Sequence, residues 1–195
     1  MKRFALTGAF CVSLMTAPIL ADDKPKFDEK AAMEAMAKAA AVTDNHKALQ
    51  HLVGEWDVTT KFWMDPSQPP SESKGTASHK WIMGNRYVHE SVKGNFGGME
   101  FEGSGVVGYD NLEQKYVFAW IDNMGTGIEH GVGKMDKDAK TLTFHHEEID
   151  AMTGKKAKGK DVTTMIDDDS FKTEFYRLEG DKEVKMMEVT YKRKK

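Results

Sequence analysis

From Gly54 to the C-terminus the apolar positions recur at every second residue, a period that belongs to strands rather than helices. In residues 55–63, Trp56, Val58, Thr60 and Phe62 share one side, while Glu55, Asp57 and Lys61 share the other. The same alternation predicts strands at 75–83, 86–93, 99–108, 115–122, 126–135, 140–149, 157–166, 170–178 and 183–192. Turn-forming residues separate them, among them Pro69-Pro70, Gly84-Asn85, Asp110-Asn111, Asp136-Lys137-Asp138, Asp167-Asp168-Asp169 and Gly180-Asp181. Connections this short leave no room for crossover helices, so consecutive strands must pair antiparallel. A meander of about ten strands protects its edges by closing on itself. The predicted fold is mainly β, a single antiparallel up-and-down β-barrel of about ten strands.

Upstream of Gly54 the period is helical. Residues 28–41 are rich in Ala, Glu, Lys and Met, and Met33, Met36, Ala37 and Ala40 recur at helical spacing. A second short helix is predicted over 45–52, capped by Thr43 or Asp44 and stopped by Gly54. The apolar face of the first helix is mostly alanine, which predicts a loosely docked leader over 22–43 ahead of a barrel domain at 44–195. A partner-binding arm is the other reading of that helix.

Residues 1–21 read as a secretory signal peptide: Lys2 and Arg3, an apolar stretch from Phe4 to Leu20, and a cleavage site at Ile19-Leu20-Ala21. Thr7, Gly8, Ser13, Thr16 and Pro18 interrupt the stretch, which disfavours a retained membrane anchor. The expectation is a periplasmic or secreted protein with no membrane insertion after cleavage. Cys11, the single cysteine, lies in that leader, so the processed chain has neither a disulfide nor a thiolate ligand. Removing Lys2 and Arg3 from 28 basic residues against 31 acidic ones moves the formal charge from −3 to 26 − 31 = −5. Mild acidity argues against nucleic acid as a partner, and the basic run Lys192–Lys195 is a chain end. The oligomeric state has no signature in the sequence.

A barrel is a container, so the residues of interest are those that alternate inward. Read as a two-residue hairpin loop, Gly84-Asn85 pairs Met83 with Arg86, Trp81 with Val88 and His79 with Glu90. That register sets His79, Arg86 and Glu90 together on the inner wall, whereas a loop longer by one residue turns Tyr87, His89 and Ser91 inward instead. Tyr116, Phe118, Trp120 and Asp122 share one face of another strand, and Phe101, Gly103, Gly105, Val107 and Tyr109 share one face of its neighbour. Two inward glycines leave room for a ligand or for a bulky neighbour. The predicted ligand-binding set is His79, Trp81, Arg86, Glu90, Tyr109, Tyr116, Trp120 and Asp122, for a small, partly apolar molecule.

No catalytic motif stands out. Gly103-Ser104-Gly105 lies within a predicted strand rather than at a strand-to-helix elbow, and no glycine loop precedes a helix to cradle phosphate. An enzyme using Asp122, Glu90 or His79 as acid or base is an alternative function, and a structural or envelope-stress protein acting through its surface is another. No cofactor is called for. His145 with Glu147, or His146 with Glu148, offers two metal ligands, and His130 on the preceding strand is a candidate third. A single inward histidine is also compatible with haem.

Taken together, His51-x₂-Gly54-x-Trp56, Gly84-Asn85-Arg86-Tyr87-Val88, Phe101-Glu102-Gly103-x-Gly105-x₂-Gly108-Tyr109-Asp110 and Tyr116-x₃-Trp120-Ile121-Asp122 resemble the family catalogued as domain of unknown function 1579. The resemblance spans about residues 44 to 193 and implies a lipocalin-type (calycin) barrel. Its Gly54-Glu55-Trp56 is similar to the lipocalin signature, which implies that Trp56 plugs the closed end. The resemblance implies no particular activity, and fold alone does not supply one.

Overall fold

The computed structural model describes residues 27–150 and 153–195, so the signal-peptide reading lies outside the described residues. Among the described residues two helices precede the barrel: α1 (Glu29–Ala39) and α2 (Asp44–Lys47), the latter continued by a 3₁₀ turn over Ala48–Leu52. Asp28 caps α1 by accepting from the Ala31 amide at 3.0 Å. α1 buries no residue, as its alanine-rich face predicts. At α2, Thr43 is the N-cap and His46 stands where a capping-box Glu or Gln is usual. The Thr43 amide donates to His46 Nδ1 at 3.1 Å, and the buried ring lies edge-on to Tyr109.

Ten strands follow: β1 (Gly54–Phe62), β2 (Ser71–Ile82), β3 (Tyr87–Phe96), β4 (Met99–Asp110), β5 (Lys115–Asp122), β6 (Glu129–Met135), β7 (Thr141–Ile149), β8 (Lys156–Asp167), β9 (Ser170–Glu179) and β10 (Lys182–Arg193). Each pairs antiparallel with its sequence neighbours, and β1 also pairs with β10, which closes the barrel. β2 starts four residues earlier than the alternation indicates, directly after Pro70, because Ser71 to Lys74 are polar yet still pair with Thr59 to Phe62. β6 starts three residues later, at Glu129, leaving Gly125 to Ile128 as an open turn.

The β2–β3 hairpin keeps the predicted pairs Trp81 with Val88 and His79 with Glu90. Its loop, however, is four residues long rather than two. Met83, Gly84 and Asn85 all have positive φ (50°, 64° and 65°), and Met83 and Arg86 leave the ladder. Adding one residue on each side preserves the register, so the inward set is unchanged except at the loop itself.

One end of the barrel is plugged by α2 and the 3₁₀ turn, whose Leu49 and Leu52 are fully buried against the core. Trp56, 1% exposed, sits beneath them and donates from Nε1 to the Leu52 carbonyl at 3.0 Å. The Arg193 guanidinium covers the Trp56 ring at 4.2 Å and donates to the Val53 carbonyl at 2.9 Å. Gly54 permits this arrangement: its φ is +155°, and a Cβ there would overlap the Arg193 guanidinium. Trp56 is thus the floor of the container.

Candidate functional site

Above that floor the barrel encloses a cavity of about 500 Å³. Its walls carry Val58, Val92, Val107, Phe118, Phe144 and Phe175, and its far end reaches the exposed rim residues Asn95 and Met124. A volume of this size admits a small organic molecule.

Of the eight residues anticipated as ligand contacts, His79, Glu90, Trp120 and Asp122 line the cavity. The other four do not. Arg86 stands in the hairpin loop, where Nε donates to the Ala40 carbonyl at 2.9 Å and Nη1 to the Met83 carbonyl at 3.1 Å. The longer loop carries its side chain off the inner wall and onto the segment behind α1. Trp81 points inward but on the plug side of the floor, donating from Nε1 to Gln50 Oε1 at 2.8 Å. Tyr109 and Tyr116 pack edge-on at 5.0 Å, and the Tyr116 hydroxyl donates to the Asn45 carbonyl at 3.0 Å. Burial pushes the Tyr116 phenol up to about 12, so it stays neutral and serves the plug.

Gly103 and Gly105 on β4 make room for a neighbour: a Cβ at either position would overlap the Trp120 ring. Held this way, Trp120 donates from Nε1 to Asp122 Oδ2 at 3.0 Å. Asp122 Oδ1 also accepts from the Met124 amide at 2.9 Å, so this carboxylate is already bound up in the strand end.

His79 is 1% exposed and lies among Trp56, Phe171 and Tyr191, with ring centroids 5.5 to 6.3 Å away. Its Nδ1 is 3.0 Å from the Leu52 carbonyl, which can only accept, so Nδ1 carries the proton. Nε2 is then a bare lone pair, buried and without a hydrogen-bond partner. Burial, with the nearby Glu90 charge, holds the Tyr191 phenol far above its ordinary range.

The second polar group joins His146 to two carboxylates that alternation did not bring to it. Glu129 on β6, His146 on β7 and Asp161 on β8 converge on the cavity wall. His146 Nε2 is 3.3 Å from Asp161 Oδ1, and Nδ1 is 3.1 Å from Glu129 Oε1. The Nε2 contact is a hydrogen bond, whereas Nδ1 has no well-formed one. The side chains of His146 and Asp161 are 8% and 9% exposed, and that of Glu129 is 30% exposed. Burial, reinforced by Asp161, Glu148 and Asp122, pushes the Glu129 carboxyl up to about 7, against the opposing pull of His146. Burial works against a charged His146, but the hydrogen bond and charge of Asp161, together with Glu129, overcome it and leave the imidazole above its ordinary value.

Of the two pairings open to the sequence, the structure places His146 and Glu148 on the cavity wall. His145 and His130 face outward, so His130 supplies no third ligand, and Glu129, its chain neighbour, does the inward-facing work. Gly159 was the available signal for this cluster. It pairs with His146 across β7 and β8, and a Cβ there would overlap the imidazole, so the glycine is the floor on which the ring lies.

Residues 41–193 match the family described as "Protein of unknown function (DUF1579)", and the chain belongs to it. No curated protein matches the sequence. Among solved structures, the crystal structure of Rv2717c from M. tuberculosis is similar with a TM-score of 0.52 at 14% identity, over 80% of this chain and all of that one. A redesigned β barrel matches with a TM-score of 0.41 at 15% identity, over 76% of this chain and 96% of its own. At that level of identity the likeness to Rv2717c extends to the fold alone.

Proposed function

We propose that this member of the family is an exported binding protein that holds a small, partly apolar molecule inside its barrel. The observation that carries the reading is the cavity of about 500 Å³, apolar along most of its wall, with the unpartnered Nε2 of His79 buried in it. Buried polar atoms in native proteins are almost always satisfied, so a lone acceptor facing a cavity calls for a donor from whatever fills it. The ligand is thus a molecule with an apolar body and a hydroxyl or amide N–H directed toward His79. The basic and apolar pattern of residues 1–21, read as a signal peptide, supports export as its setting.

The test is titration of the full processed chain with the apolar fluorophore 8-anilinonaphthalene-1-sulfonate, read by its emission and by quenching of Trp120. Val92 lies on the cavity wall, so V92W fills part of the space. The reading expects saturable binding by the native protein and at least tenfold weaker binding by V92W. Failure to saturate, or equal affinity in V92W, overturns it.

The Glu129 carboxyl held near neutrality favours acid–base catalysis as a second reading, since a general acid or base works best near the ambient pH. It requires turnover of a bound molecule that E129Q abolishes without loss of binding.

A further inference from the structure

We infer that Glu129, His146 and Asp161 form a binding site for one divalent transition-metal ion in the barrel wall, open on one side to the cavity. The three residues each present a ligand atom, and these atoms lie within 4.8 Å of one another. They come from three adjacent strands, β6, β7 and β8, whose inward alternation fixes them side by side.

The independent observation is His146 Nδ1. The side chain is more than nine-tenths buried, Nε2 is engaged by Asp161, and Nδ1 has no hydrogen-bond partner although Glu129 Oε1 is only 3.1 Å away. With Nε2–H held by Asp161, the neutral ring presents its Nδ1 lone pair beside the Glu129 carboxylate, two donors placed to share a cation. Metal–ligand bonds of about 2.0–2.1 Å to atoms 3.1 Å apart meet at roughly 100°, suitable for neighbouring ligands in a tetrahedral or octahedral shell. Asp161, whose ligand atom lies within 4.8 Å of the other two, is the third ligand of the set, and the remaining positions face the cavity.

Charge balance points the same way. Two carboxylates and a neutral imidazole carry two negative charges, which a divalent ion cancels in a region that holds charge poorly. Glu148 also lines this part of the cavity and adds to the negative field. A mixed nitrogen and oxygen donor set suits zinc, cobalt, manganese or ferrous iron better than calcium or magnesium. Gly159 leaves the space that the Nε2 side of the His146 ring occupies, which fixes the ring's position in the wall. The site does not depend on an organic ligand elsewhere in the cavity.

The experiment uses the full processed chain, untagged and stripped with chelator, titrated with Zn²⁺ by calorimetry and with Co²⁺ by visible absorption. One equivalent should bind, with Co²⁺ giving the d–d bands of a nitrogen- and oxygen-ligated ion. H146Q, E129Q and D161N should each weaken binding at least tenfold, while H145Q, on the outward face of the same strand, should leave it unchanged. Circular dichroism establishes that each variant is folded, and V92W, on the opposite wall, should retain the metal. Absence of saturable binding overturns the proposal, as does binding that survives in H146Q or is lost equally in H145Q. Any of these three results leaves the fluorophore test of the cavity untouched.

Discussion

The Leu52 carbonyl accepts from His79 Nδ1 at 3.0 Å, and Trp56 Nε1 donates to the same oxygen at 3.0 Å. A carbonyl has two lone pairs, and here both are used by rings from different strands. One atom of the helical plug thus ties down β1 and β2 and sets the tautomer of the His79 imidazole in the aromatic floor. The plug and the chemistry of the cavity are coupled through it.

Removing that tie should be costly. His79→Leu leaves one lone pair of Leu52 unpaired in the core, and a loss of about 1–3 kcal/mol is expected. Thermal unfolding measures the loss, and amide exchange should show faster opening of Leu49 and Leu52. Unchanged exchange in the plug would remove the coupling.

Gly159→Ala places a methyl group against the His146 ring. Overpacking of this kind costs about 1–3 kcal/mol, and here it also moves the imidazole from between Glu129 and Asp161. The imidazole resonances of His146 should shift and its proton affinity should fall toward the ordinary value. Gly154→Ala is a control without a close neighbour, strained only by its φ of +66°.

Stability should fall as the pH rises from about 4.5 to 7. The folded Glu129 carboxyl titrates at about 7 against 4.5 for the free group, so its contribution is complete below pH 4.5 and gone above 7. His146 acts in the same sense, since its raised value makes its contribution complete below about 6.5 and lost as the pH passes its folded value. The charged groups acting on Glu129 are His146, Asp161, Glu148 and Asp122. At about 1.4 kcal/mol per pH unit, Glu129 accounts for up to about 3 kcal/mol. Denaturant unfolding of the chain and of E129Q across this window checks it, and the variant should show a flatter profile.

Gly103→Val drives a side chain into the place of the Trp120 indole. Trp120 should lose its hydrogen bond to Asp122, with a red shift of its emission and a loss of stability of about 1–3 kcal/mol. An emission spectrum identical to that of the parent would show that the ring is not held by this glycine.

Truncation before Thr43 should cost little, since α1 buries nothing and is held chiefly by its C-terminal carbonyls, which accept from Arg86 and Asn111. A change of under about 1 kcal/mol in denaturant unfolding is expected, as for surface alterations elsewhere.

The sequence by itself determined the strands, their order and their inward faces, because alternation and turn chemistry are local and each strand pairs with its neighbour in the chain. His79 opposite Glu90 follows from that local logic, whereas Trp56 as floor was implied by the lipocalin-like signature, and that Trp120 fills the space at Gly103 and Gly105 is a tertiary fact. What lay beyond it was where each inward side chain falls along the barrel axis. Trp81, Tyr109 and Tyr116 point inward as predicted, yet they meet the plug instead of the cavity, since only the packed α2 segment shows which end is closed. Arg86 was lost to a loop one residue longer on each side. Glu129, His146 and Asp161 are separated by 17 and 15 positions, on strands whose relative stagger only closure of the barrel decides. Alternation says which way a side chain points; the shear of the closed sheet decides what it meets there.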